Sequence, residues 1–144
     1  MRPTLLSLLA ATLVACGSPP PEGSVMRDGR LRPCPATPNC VSTQATDASH
    51  QMPPIPFAGS PAEAMARLAR VVEGMPRARI VAREGDYLRA EYRSLVFRFV
   101  DDVEFVVDSA AGVIHFRSAS RVGRGDLGVN RRRMREVTRR FGRE

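Results

Sequence analysis

The spacing of apolar positions along the chain changes period twice. Around residues 60–76 it is helical: Met65, Leu68, Val72 and Met75 share one face, with Glu63, Arg67 and Arg70 away from it. Ser60 supplies a cap, Pro61 a first-turn proline and Glu63 a capping box, and Gly74 and Pro76 close the segment, so a helix is predicted there. From residue 78 the period falls to two. Residues 78–83 are short and β-branched, Glu84, Gly85 and Asp86 offer a hairpin turn, and Leu88, Ala90 and Tyr92 then alternate with Arg89, Glu91 and Arg93. The alternation runs on through Leu95, Phe97 and Phe99 against Val96, Arg98 and Val100, and resumes with Val103, Phe105 and Val107. A run from 87 to 108 exceeds the usual strand of about 5–6 residues, so the chain must turn either near Ser94 or at Asp101 and Asp102. Residues 113–120 read as a further strand. Beyond Gly123, Gly125 and Gly128, residues 129–141 read as a second helix with a narrow stripe of Met134, Val137 and Phe141. Residues 34–57, rich in proline and turn formers, read as an ordered loop. The predicted class is α+β: a helix, an antiparallel meander of four or five strands, and a C-terminal helix, with both helices on one sheet face.

Composition fits that picture and adds charge to it. With 144 residues, 43% hydrophobic and 26% charged, the chain has room for one globular domain. The 22 basic residues are all arginine, and a net charge of +7 points to anionic partners. The N-terminus limits which of these are reachable. A basic start and an apolar run over residues 5–15 form a secretory signal, too short for the roughly 20 residues of a membrane span. Leu13, Val14, Ala15 and Cys16 resemble a bacterial lipobox, in which the cysteine carries lipid and becomes the mature N-terminus; a plain signal cut near Ala15 is the other reading. Gly17 after the cysteine favours, by the same resemblance, the outer membrane where one exists. The expected organisation is a signal peptide over 1–15, a proline-rich tether over 16–33 and one domain over 34–144, lying on the extracytoplasmic side with the membrane as partner through its lipid. Nucleic acid is not expected as a partner. Cys34 and Cys40 then remain as one pair, and in an oxidising envelope a disulfide closing a small loop stiffened by Pro33, Pro35 and Pro38 is expected. Their spacing is not the CxxC of redox or zinc sites.

The segments "CPATPNCVSTQA", "HQMPPIP", "YLRAEYRS", "FVDDVEF" and "IHFRSASRVGRGDLGVNRRR" together resemble the domain-of-unknown-function 1499 family of bacterial envelope and plastid proteins. That resemblance implies a single domain and assigns no activity to any residue.

Several polar groups are candidates for chemistry. By alternation Asp102 and Glu104 share a face with Arg98, while Asp101 falls with Phe99 and Val103. A carboxylate pair could serve a metal or acid/base work with His115. The competing reading is ion pairing with arginines, of which Arg117 and Arg121 share a strand parity with His115; the supply of arginine favours it. An Asp101 on an apolar face would need such a partner or a turn. His50 is the only other histidine, so a histidine-rich metal site is not available, and no metal or cofactor is expected. Ser118 and Ser120 lack a nucleophile elbow. The glycine turn "VGRGDLGVN" lacks the phosphate-loop and dinucleotide patterns. It suits either an anion site with Arg117, Arg121 and Arg131, or a turn whose Asp126 or Asn130 caps the helix. Arg132, Arg135, Arg139 and Arg143 lie opposite the apolar stripe, as a solvated face or one drawn to anionic headgroups. The expectation is a lipid-anchored envelope module without catalysis that binds an anionic small molecule, a lipid headgroup or an envelope partner. The alternatives are a hydrolase or isomerase using Asp102, Glu104 and His115, with or without a divalent metal, and a purely structural interaction module.

Overall fold

The computed structural model describes residues 29–144. The expected signal peptide, the expected lipidation at Cys16 and the expected tether as far as residue 28 lie outside the described residues. The first helix, α1 (Pro61–Glu73), forms as its sequence dictates: the Glu63 amide donates to the Ser60 hydroxyl and the Ser60 amide to the Glu63 carboxylate, satisfying two end groups reciprocally. Four strands follow as an antiparallel meander: β3 (Ala78–Glu84), β4 (Tyr87–Arg93), β5 (Val100–Asp108) and β6 (Val113–Ser120), ahead of the closing helix α2 (Val129–Phe141). Two short strands precede α1, namely β1 (Cys40–Ser42) and β2 (Ile55–Pro56), and both pair antiparallel with β6. The sheet order is β1-β6-β5-β4-β3, with β2 also on β6.

One expectation is corrected and one open alternative is resolved. Residues 34–57 are not all loop, because β1 and β2 complete the β6 edge; strands of two and three residues are too short to impose a period. The long run of residues 87–108 turns at Ser94 and not at Asp101. The Ser94 amide donates to the Phe99 carbonyl and the Phe99 amide to the Ser94 hydroxyl, both at 2.9 Å, so residues 94–99 form a closed loop whose apolar side chains do not belong to a strand.

Strand alternation sorts the sheet into two faces. One carries Leu88, Ala90 and Tyr92 of β4, Val103, Phe105 and Val107 of β5, and Ile114 and Phe116 of β6, packed under Met65, Leu68 and Val72 of α1 and Met134, Val137 and Phe141 of α2. Phe105 and Phe116 face each other across the strands and are fully buried. The other face is polar, with Arg89, Glu91, Asp102, Glu104, His115 and Arg117. Residues ahead of the disulfide lie along its margin: Leu31 is buried and its amide donates to Gln44 Oε1 at 2.8 Å. The Cys34–Cys40 disulfide ties that segment to β1.

Candidate functional site

On the polar face, register sets the pairs. Glu104 stands between Arg89 of β4 and Arg117 of β6, and Glu91 lies across from Asp102. Glu104 is buried, accepts from the Tyr87 hydroxyl at 2.8 Å and from the Arg117 guanidinium at 3.5 Å. Burial pulls the Arg117 guanidinium below its usual range, an effect the Glu104 charge opposes and the nearby Arg32 charge reinforces. Its Nε, like that of Arg89, is buried without a hydrogen-bond partner. Arg121, just beyond β6, folds back over the sheet. Its Nε and one terminal nitrogen grip Asp102 at 2.6 and 2.8 Å, and the same terminal nitrogen reaches Glu91 at 2.6 Å. The Asp102 hydrogen bonds hold the Arg121 guanidinium above its usual range despite desolvation. Burial by itself would raise the Glu91 carboxyl, but the Arg121 hydrogen bond and the charges of Arg121, Arg79 and Arg93 bring it below its ordinary value.

Asp101 emerges on the opposite, apolar face, and its partner comes from α2. Arg133 donates to Asp101 at 2.5 Å and to Asn130 Oδ1 at 2.6 Å while lying over the Tyr92 ring, 4.6 Å from its centroid. Burial pushes the Tyr92 phenol up to about 12, and its hydroxyl has no hydrogen-bond partner. Asn130 is fully buried and ties four segments together: its amide nitrogen faces the Asn39 carbonyl, Ser120 and Asp126, and its oxygen accepts from the Ser118 hydroxyl. Asp126 takes the amides of Gly128 and Asn130 at 2.9 and 2.8 Å, so it caps α2. Gly128 sits there at φ 75, where a side chain would be strained and its Cβ would crowd Arg132. The glycine-rich motif is thus an interlocked polar clasp between β6, α2 and the residue leading into β1.

The sequence-derived candidates fall in separate places. Asp102 and Glu104 share the polar face with Arg117 and Arg121, as paired ions. His115 lines a groove of about 520 Å³ with Gly29, Arg30, Gln44, Asp108 and Ser109; Asp102, Glu104 and Arg121 do not line it. His115 Nδ1 lies 3.1 Å from the Thr43 hydroxyl, and Nε2 is 3.8 Å from Asp108. Arg131 lies apart from Arg117 and Arg121, donating to the carbonyls of Ser49 and Gln51 and so pinning the loop that holds His50. His50 is buried between Asp47, 2.6 Å away, and the Thr37 carbonyl at 3.0 Å. The Ser49 hydroxyl, followed by His50, brings the Asp47 carboxyl down to about 2 in spite of partial desolvation. Among the described residues no group of three or more histidines, cysteines and acids stands close enough to hold a metal ion. Sequence reasoning missed Arg133 and Asn39; the available signal for Arg133 was its place beside Met134 on the inward side of α2, not among the outward arginines.

These features define an α+β domain whose buried acids are neutralised by arginine on both sides of one sheet. The chain belongs to the DUF1499 family of proteins of unknown function, whose family model matches residues 30–141. No curated protein matches it.

Proposed function

We propose that this domain is a non-catalytic, lipid-anchored module of the cell envelope that binds an anionic membrane surface. The observation that carries the reading is the internal use of its acids. Asp101 is held by Arg133, Asp102 and Glu91 by Arg121, and Glu104 by Arg117. A buried carboxylate gripped by a guanidinium is a poor proton acceptor, because protonating it strands the arginine. Arginine remains in excess outside these pairs: Arg98, Arg124, Arg135 and Arg143 are exposed and form no ion pair among the described residues. A lipid on Cys16 would keep that excess within a few nanometres of headgroups, where each basic residue near the surface contributes about 1 kcal/mol.

Two measurements test it. Palmitate labelling in cells should be lost in Cys16→Ser; labelling that persists removes the anchor. The full chain should bind vesicles containing phosphatidylglycerol roughly tenfold or more tightly than neutral phosphatidylcholine vesicles, and added salt should narrow the gap. Apolar contacts of the leader or lipid contribute alike to both vesicle types, so the ratio isolates charge. Equal binding to both overturns the anionic-surface reading.

A further inference from the structure

At the end of the sheet where β4 turns into β5, the fold leaves a group of large apolar side chains unused. Leu95 and Val96 are each 75% exposed, Phe97 74% and Phe99 52%. The rings of Phe97 and Phe99 stack on each other, with centroids 5.5 Å apart. Backbone and side-chain hydrogen bonds between Ser94 and Phe99 close this tip, so it is a preformed projection. A second loop joins it. Asp101 pairs with Ser120 and the Arg121 amide donates to the Val100 carbonyl at 3.0 Å, so residues 121–128 leave the same end of the sheet, where the Asn39 side chain holds the Gly123 carbonyl at 2.8 Å. That loop exposes Val122, and Leu127 at 94%. Isolated exposed apolar residues are ordinary; four within one closed loop, two of them stacked, mark a contact surface.

Charge selects the occupant. Arg93 and Arg98 flank the apolar tip and Arg124 lies on the second loop at the same end; all three are exposed, and Arg93 also reaches Glu91 at 3.5 Å. Neither loop contributes a free acid, since Asp126 is engaged with the amides that begin α2. The acids at the near ends of the strands, Glu91, Asp101 and Asp102, are buried in ion pairs. The far end of the sheet is less basic, with Glu84, Asp86 and Asp108 set against Arg83 and Arg30. Apolar side chains flanked by guanidinium groups complement hydrocarbon lying beneath anionic headgroups. The chain length permits the arrangement. Gly29 lies beside Asp108 and Ser109 at the far end. The strand separating the two ends is about 30 Å long, whereas the residues between Cys16 and Gly29 reach about 45 Å when extended.

We propose that the β4–β5 tip inserts into the headgroup boundary of an anionic bilayer and stands the domain on the membrane with its sheet end down. This rests on the membrane reading above, and the test separates the two. The chain contains no tryptophan, so Phe97→Trp in the full chain gives a unique reporter. On phosphatidylglycerol vesicles the indole emission should move to shorter wavelength and be quenched by bromine on the acyl chains. Ala110→Trp, at the far end, should show neither change. Phe97→Ser and Phe99→Ser, at exposed positions that leave the core intact, should each weaken binding about tenfold. Sedimentation with vesicles while the indole at 97 stays accessible to aqueous iodide overturns insertion and leaves the membrane reading standing. Failure to sediment at all overturns both.

Discussion

Arg121 shows what a single guanidinium does in this molecule. It neutralises Asp102 bidentately and Glu91 through a shared nitrogen, and all of these side chains are almost wholly withdrawn from solvent. Arg121→Met keeps the aliphatic length but strips buried Asp102 of its guanidinium and leaves Glu91 with only the more distant Arg93 and Arg79, so it should lose about 3–5 kcal/mol of unfolding free energy at neutral pH. The pH dependence follows from Glu91, whose carboxyl is held below its ordinary value. A carboxylate depressed in the folded state contributes stability above its unfolded value of about 4.3 and loses it as pH falls through the folded value. The gap between wild type and Arg121→Met should therefore be full at pH 7 and shrink below about pH 4. Urea denaturation across that range checks it; a gap that does not change with pH would mean the ion pair is not its source. Part of this was legible from sequence: strand parity places Asp102 and Glu104 on one face and groups Arg117 with Arg121. The choice of partner was not, because register across β5 and β6 sets it. Asp101 and Arg133 are separated by the rest of β5, a turn, all of β6, a loop and a turn of helix, and nothing in the period of either segment couples them.

The elements divide by how much local information each carries. α1 was readable to the residue, since its cap, first-turn proline and terminal glycine all coincide with its apolar face. α2 was readable as well, and Asp126 closes its start through backbone amides. β1 and β2 were not readable, because they depend on β6, and for Ser42 on a bridge to Gln51, for their sheet contacts, and Pro56 lies within one of them. Residues 95–99 misled for the opposite reason: alternation there is real, but it serves exposed side chains beyond the last paired residues, Arg93 and Val100. The dependence of β1 on outside support gives the disulfide its task. Cys40 belongs to β1 and Cys34 to the segment before it, with six residues of separation. Replacing both by serine frees a short loop in the unfolded chain and should lower stability by about 2 kcal/mol. Calorimetry of the double variant should show a single transition at lower temperature. Hydrogen exchange in β1 should rise before exchange in β5, which lies between two long strands. Unchanged exchange in β1 would mean that β6 pairing alone secures that edge.

For the molecule as a whole, the arrangement of charge distinguishes two ways of lying on a membrane. One surface is the hairpin end, with Arg93 and Arg98 flanking the apolar tip and Arg124 on the second loop; the other is the outward side of α2, where Arg135 is exposed and Arg139 and Arg140 share Glu136. The α2 surface is basic but offers no exposed apolar cluster, and its inward residues Met134, Val137 and Phe141 are committed to the core. It can attract headgroups only through charge that is partly neutralised by Glu136, whose carboxyl the Arg139 and Arg140 hydrogen bonds hold down at about 2. The hairpin end combines apolar area with Arg98 and Arg124, which form no ion pair among the described residues, while Arg93 reaches Glu91 at 3.5 Å; charge and apolar area both contribute to interfacial binding. Since every basic side chain is arginine, a dicarbonyl reagent that modifies guanidinium groups reads the orientation directly. On anionic vesicles Arg98 and Arg124 should become protected relative to the protein in solution, whereas Arg83 and Arg135 should react as before. Protection of Arg135 and Arg139 with Arg98 still reactive would instead lay α2 on the membrane and turn the hairpin tip toward water.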